Sequence, residues 1–181
     1  MKREAGPEFN GGKMKKKISE MSLEELWKMF PIYLTEYQPS WKEWYADEEN
    51  LLRNVVPKTG RISHIGSTAI GSISAKPIVD ILVEISKDYE LSDYKEAIVK
   101  CGYICMSETS DRISFNKGYT EKGFAEKVFH LHLRYVGDND ELYFRDYLTE
   151  YINIAVEYER MKLNLWKKYE FNRDGYTNAK T

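Results

Sequence analysis

The chain has 181 residues, of which 42% are apolar or aromatic, enough for one sizeable core and too few for two independent ones. Twenty-seven Lys and Arg against 29 Asp and Glu leave a net charge of −2, which excludes the broad positive field of a dedicated nucleic-acid coat protein. No apolar run approaches the roughly 20 residues that cross a bilayer, and no hydrophobic signal core is visible, so a soluble cytoplasmic protein is expected.

Residues 1–13 contain Gly6, Pro7, Gly11 and Gly12 and almost nothing to bury, and are expected to be a disordered or vector-derived tail. The run Lys15, Lys16, Lys17 reads as solvated charge. A single domain is expected over 14–181, strand-rich to about residue 137 and helical over 138–171.

From Ser22 the spacing of Leu23, Leu26, Trp27 and Phe30 predicts a short helix that Pro31 stops. Ile32 to Tyr37 reads as extended. Ser40 and Glu43 have the spacing of a capping box, and Trp41, Trp44, Tyr45, Leu51 and Leu52 supply the apolar side of a second helix. Arg61 to Ile65 reads as a strand that runs into the small-residue turn Gly66, Ser67, Thr68. Ile78 to Ile85 is the most hydrophobic run and is predicted to be a strand covered on both faces. Ser92 to Lys100 fits a helix ending at Gly102, followed by strands around 103–106, 112–116 and 127–136. Cys101 and Cys105 read as buried free thiols, without the spacing of a disulfide framework or zinc ribbon. From Asp138, with Asp138 and Glu141 as capping candidates, the stripe Phe144, Leu148, Tyr151, Ala155, Tyr158, Leu165, Tyr169 predicts one long helix or two successive ones. The segment after Asn172 reads as a polar tail.

Chemistry concentrates in three places. A strand entering a Gly-Ser-Thr turn leaves backbone N–H groups open to an anion, so Gly66, Ser67 and Thr68 are candidate phosphate binders, with Lys76 adding positive charge. Asp80 is a carboxylate inside a buried strand, which costs several kcal/mol unless a cation meets it. That cation is either a metal shared with bound phosphates or a side chain, Lys76 or Arg61. His130 and His132 alternate with Phe129, Leu131 and Leu133, so both imidazoles and Arg134 share one strand face and are candidate metal ligands. His64 precedes the Gly-Ser turn, and convergence of all three histidines would mark a functional cleft. Glu84 shares the face of Asp80 but lies about 13 Å away, too far to hold the same ion. Arg145 and Asp146 read as a surface or interhelical pair.

Taken together, His64 to Gly71, Ala75 to Ile81, His130-Leu131-His132 and Phe144 to Leu148 resemble the GrpB-like family, from about Phe30 to Tyr169 and including Trp41, Glu48, Tyr158 and Lys162. The resemblance implies an α+β fold of the polymerase-β-type nucleotidyltransferase superfamily: a mixed sheet flanked by helices, here with further C-terminal helices. Gly66 and Ser67 match that superfamily's phosphate-binding turn, and Asp80 matches the first acidic residue of the following strand. The second acidic position falls on Leu82. Active members hold two magnesium ions with that acidic pair and usually a third carboxylate, a place where His130 or His132 would favour a transition metal instead.

The function implied is binding of a nucleotide or other phosphorylated small molecule, with metal-dependent nucleotidyl transfer to a small acceptor. Asp80 would orient a magnesium or manganese ion, a nucleoside triphosphate would be the substrate or ligand, and His132 would serve as general base. The alternative is a non-catalytic phosphate-binding module that has lost the second metal carboxylate. No membrane or nucleic-acid partner is expected.

Overall fold

The computed structural model describes residues 18–180, so the expected tail 1–13 and the lysine run 15–17 lie outside the described residues. Helix α1, Leu23–Met29, starts at a capping box in which the Ser22 side chain accepts from the Glu25 amide and the Glu25 carboxylate accepts from the Ser22 amide. These two bonds satisfy donors that the first helical turn leaves open. Pro31 follows directly. In the extended segment after it, Thr35 exchanges backbone hydrogen bonds of 2.9 Å with Ala75, and Tyr33 packs on Phe124.

Helix α2, Ser40–Leu52, lacks the expected capping box. Pro39 already has helical dihedrals, φ −56 and ψ −31, so Ser40 stands inside the first turn, where its hydroxyl has no side-chain cap to make.

Among the described residues five strands form one mixed sheet: β1 Arg61–Ile65, β2 Val79–Ile85, β3 Ile104–Glu108, β4 Arg112–Thr120 and β5 Gly123–Tyr135. Their order is β1-β2-β5-β4-β3. Only β2 and β5 run parallel, because helix α3, Ser92–Lys100, and the β3-β4 hairpin intervene between them. The strands match the sequence expectation with boundaries moved by a few residues, as sequence patterning allows.

Side chains alternate across the sheet, and paired residues share a face. One face carries Val79, Ile81, Val83, Ile85, Phe115, Leu131 and Leu133 against Trp41 and Leu52 of α2 and Ile98 of α3. Each fully buried side chain of this kind contributes about 1.5–3 kcal/mol, so this layer is the main hydrophobic core. The opposite face carries Asp80, Leu82 and Glu84 of β2 beside His130, His132 and Arg134 of β5. Helices α4, Asp140–Glu150, α5, Ile152–Tyr169, and α6, Arg173–Asn178, belong to this side, with Leu142 packed on Ile65 and Leu82.

Several local expectations are corrected. Asp138 and Glu141 do not cap α4; they pair with Arg112 at 2.7 Å and Arg134 at 2.8 Å, because two arginines at the strand ends need counter-charges. Arg61 pairs with Glu84 at 2.5 Å, and Asn139 donates to the other oxygen of that carboxylate at 2.8 Å. A carboxylate buried this deeply demands such partners. Both cysteines are free but half-buried. The polar segment after Asn172 is a helix, since Asn172 accepts from the Gly175 amide at 2.8 Å and Tyr176 is only 1% exposed. Among the described residues no helix is long and apolar enough to cross a membrane.

Candidate functional site

At the end of β1 the chain must turn sharply under the start of β2. Gly66 does this with φ 71 and ψ −173, a region nearly closed to other residues. A Cβ at this position would lie 2.5 Å from Asp80 Oδ2, so the turn and the acid are in direct apposition. The juxtaposition expected of Gly66, Ser67 and Asp80 is therefore present, and all three line a cavity of about 480 Å³. Lys76, His130, His132, Tyr158, Lys162, Arg173, Tyr176 and Lys180 line it as well.

The floor of the cavity is a hydrogen-bonded chain. Arg173 Nη2 donates to Tyr119 Oη at 3.0 Å, Tyr119 Oη lies 2.8 Å from His130 Nε2, and His130 Nδ1 lies 3.1 Å from Asp80 Oδ1. Since Arg173 only donates, the Tyr119 proton goes to Nε2, and His130 donates from Nδ1 to the carboxylate. Burial pushes the Asp80 carboxyl up, but the His130 hydrogen bond, with charge from His130, His132 and Lys76, outweighs it and holds the group below its ordinary value. The partner of Asp80 is thus the Nδ1–H of His130; among the described residues neither Lys76 nor Arg61 forms the ion pair considered for it.

Thr68 borders the cavity, yet its hydroxyl donates to the Ile78 carbonyl at 3.2 Å and lies 3.0 Å from His64 Nε2. That hydroxyl is committed to the fold rather than open to a ligand. His64 sits on the opposite face of the sheet, paired with Ile81 and stacked on Tyr45 at 4.8 Å. Burial lowers its pKa to about 4, with Arg145 and Lys42 adding to the effect and Asp80 opposing it, so it is neutral. The three histidines do not converge: His64 is paired with Ile81, which faces the core, whereas His130 and His132 are paired with Asp80 and Leu82 on the other face. His132 does face the cavity, one strand step from His130; burial, Arg134 and His130 lower its pKa against the pull of Asp80. Arg145 donates to the His64 carbonyl at 2.8 Å and pairs with Asp146 at 2.6 Å, which ties α4 to β1 outside the cavity.

The basic residues define the character of the cavity. Lys162, on α5, is 3% exposed, and its Nζ donates to Ser67 Oγ at 3.0 Å and to the Ser74 carbonyl at 2.6 Å. It has no ion-pair partner among the described residues, because the neighbouring Glu159 accepts the Ser74 amide at 2.6 Å. Burial drops its pKa to about 7, opposed by Glu159 and assisted by Lys180 and Lys76. Burial likewise drops Lys76 to about 8, with Lys180 and Arg173 contributing. Lys76 and Lys180 both sit over the Tyr176 ring, at 5.2 and 5.0 Å. The two carboxylates of the cavity, Asp80 and Glu141, are already engaged by His130 and Arg134.

Sequence reasoning selected Lys76 and left Lys162, Arg173 and Lys180 out of the site. The signal for Lys162 was a charge inside an apolar stripe, four residues after Tyr158. Arg173 and Lys180 carried none, since their place depends on how α6 folds back.

A two-metal centre does not fit the donors present. Leu82, fully buried, belongs to an apolar cluster with Ile65 and Leu142 where the second acid would stand. Both ring nitrogens of His130 are occupied. Among the described residues no three His, Cys, Asp or Glu side chains are grouped to hold a metal ion.

Residues 31–181 match the family described as GrpB protein. Glutamate-rich protein GrpB of Alkalihalophilus pseudofirmus is 33% identical over 155 residues, which cover 82% of this chain and 89% of that protein. The crystal structure of conserved protein GrpB from Enterococcus faecalis superposes with a TM-score of 0.69 at 28% identity, over 82% of this chain and 94% of that one. The Cid1 poly(U) polymerase in its MgGTP-bound structure superposes with a TM-score of 0.52 at 14% identity, over 81% of this chain. This chain spans 47% of that polymerase, and the likeness is one of fold: an α+β, mixed-sheet, nucleotidyltransferase-like architecture.

Proposed function

The chain belongs to the GrpB family, and we propose that it binds a phosphorylated small molecule, nucleotides included, through Lys76, Lys162, Arg173, Lys180 and the Gly66-Ser67 turn. The observation that carries this reading is the buried Lys162 ammonium, held by two neutral oxygens and flanked by further cations with no carboxylate of its own. A cluster of cations in a partly dehydrated cavity is unstable unless an anion enters, and phosphate is the anion whose several oxygens match several separate donors. In this reading the lysines and Arg173 neutralise the phosphates, the task that paired magnesium ions perform elsewhere.

A second reading is favoured by one further observation, the contact of Asp80 with the Gly66 turn. A single magnesium or manganese ion at the free Asp80 oxygen, completed by phosphate oxygens, would support nucleotidyl transfer. An acceptor hydroxyl attacks the α-phosphorus, His132 takes its proton, and the bond to the bridging oxygen breaks with pyrophosphate leaving. Calorimetric titration with ATP, with pyrophosphate and with each metal separates the two. Metal-independent binding that is lost in Lys162→Met supports the first reading. Metal-dependent binding lost in Asp80→Asn, with pyrophosphate release on adding acceptors, supports the second. Absence of binding by every phosphate compound overturns both.

A further inference from the structure

A second concavity, of about 610 Å³, adjoins the basic cavity on the same face of the sheet. Leu23, Leu26 and Trp27 of α1 and Phe30, which follows it, form one wall, and Ile104 and Met106 of β3 form the other. Arg173 lines both concavities, and Tyr119, whose hydroxyl it holds, lines the second. The strand register makes the adjacency explicit: Asp80 pairs with His130, His130 with Asn116 and Asn116 with Ile104. Adjacent strands lie about 4.8 Å apart, so this row crosses from acid to apolar groove in about 14 Å. The volume is that of a small-molecule site. Phe30 is anchored on Tyr119 at 4.9 Å and on Phe124 at 5.1 Å, which holds the α1 wall against the sheet. That wall precedes residues 31–181, the part of the chain that matches the family.

We propose that this groove receives the hydrocarbon part of the ligand whose phosphates the basic cavity holds, so that the ligand class is a phosphate or diphosphate ester of an acyl or prenyl-like chain. The inference rests on the phosphate-binding reading above. A hydrocarbon suits the groove better than a nucleobase does. Bases carry several donors and acceptors on their edges, and those left unpaired are costly to bury. Six apolar side chains form the walls; of the polar lining, Tyr119 and Arg173 are already bonded to each other, which leaves a base edge only Asn116 and Asp174. Arg173, whose Nε is buried without a partner, stands where a charged head would meet an apolar chain.

The test is titration of the full chain with pyrophosphate, geranyl diphosphate and ATP. Geranyl diphosphate is expected to bind at least about tenfold more tightly than pyrophosphate, the gain of about two buried methylenes. Ile104→Asp and Met106→Asp, at positions 54% and 58% exposed and so tolerant of charge, should abolish that advantage and leave pyrophosphate binding unchanged. Equal affinity for the two diphosphates, an advantage that survives both substitutions, or tighter binding of ATP than of geranyl diphosphate overturns the inference while leaving the phosphate site standing. If neither diphosphate binds, the phosphate-binding reading itself fails.

Discussion

The buried amine of Lys162 makes stability depend on pH in a calculable way. Its pKa is about 7 in the folded chain against 10.5 as the ordinary value, because burial disfavours the ammonium. Between those values the unfolded chain binds the proton that the folded chain rejects, so stability rises with pH across this window and is lowest below it. Integrating from pH 7 to pH 9 gives a gain of about 2 kcal/mol, at about 1.4 kcal/mol per pKa unit. Lys162→Met removes the titrating group, so the difference between wild type and variant isolates it from Lys76 and the other amines. Differential scanning calorimetry at pH 6, 7, 8 and 9 should show the wild-type Tm climbing relative to the variant by roughly 4–8 °C between pH 7 and 9. Saturating pyrophosphate should flatten the curve, since a bound anion restores the proton to Lys162. A wild-type minus variant difference that is flat within about 0.5 kcal/mol across the range would mean that the amine is not desolvated as the structure requires.

Two other substitutions probe the geometry around Asp80. Gly66→Ala places a methyl group against Asp80 Oδ2 at a backbone conformation available almost only to glycine, and should cost about 2–5 kcal/mol in urea unfolding. Much of that cost should be relieved in the Gly66→Ala/Asp80→Ala double variant, and additive effects would refute the contact. Leu82→Asp restores the acidic pair of the nucleotidyltransferases but buries a carboxylate among Ile65 and Leu142, so it should destabilise by about 3 kcal/mol or more. Isothermal titration should then show no new high-affinity magnesium site; a stable variant that binds magnesium would refute the apolar account of this position.

How far the sequence could be read differs from element to element. Helix α1 is stated twice in the chain, by the box of Ser22 and Glu25 and by the period of Leu23, Leu26 and Trp27, and it forms as expected. Ser40 and Glu43 have the same spacing without the cap, because Pro39 extends the helix by one residue. Gly66 and Asp80 were conspicuous because each violates its local context, a glycine at a strand end and a charge in an apolar run. Their contact follows from one register, Ile65 opposite Asp80. The histidines show the limit of period-two reasoning. It placed His130 and His132 on one face, and it had no means of placing His64 on the other, since relative facing between β1 and β2 is set by pairing and not by either strand alone.

The sequence by itself determined the order of elements as far as α5 and the burial of β2 and β5, since these follow from local periodicity, turn residues and the demand that apolar faces be covered, and its resemblance to the GrpB-like family carried the α+β class. Only the tertiary structure decided that Lys76, Lys162, Arg173 and Lys180 surround one cavity, that Glu84 answers Arg61, and that His130 answers Asp80. Charges act through space, over a few ångströms, between residues separated by up to about a hundred positions of chain, and no local pattern of residues encodes which of them the packing of α5 and α6 will bring together.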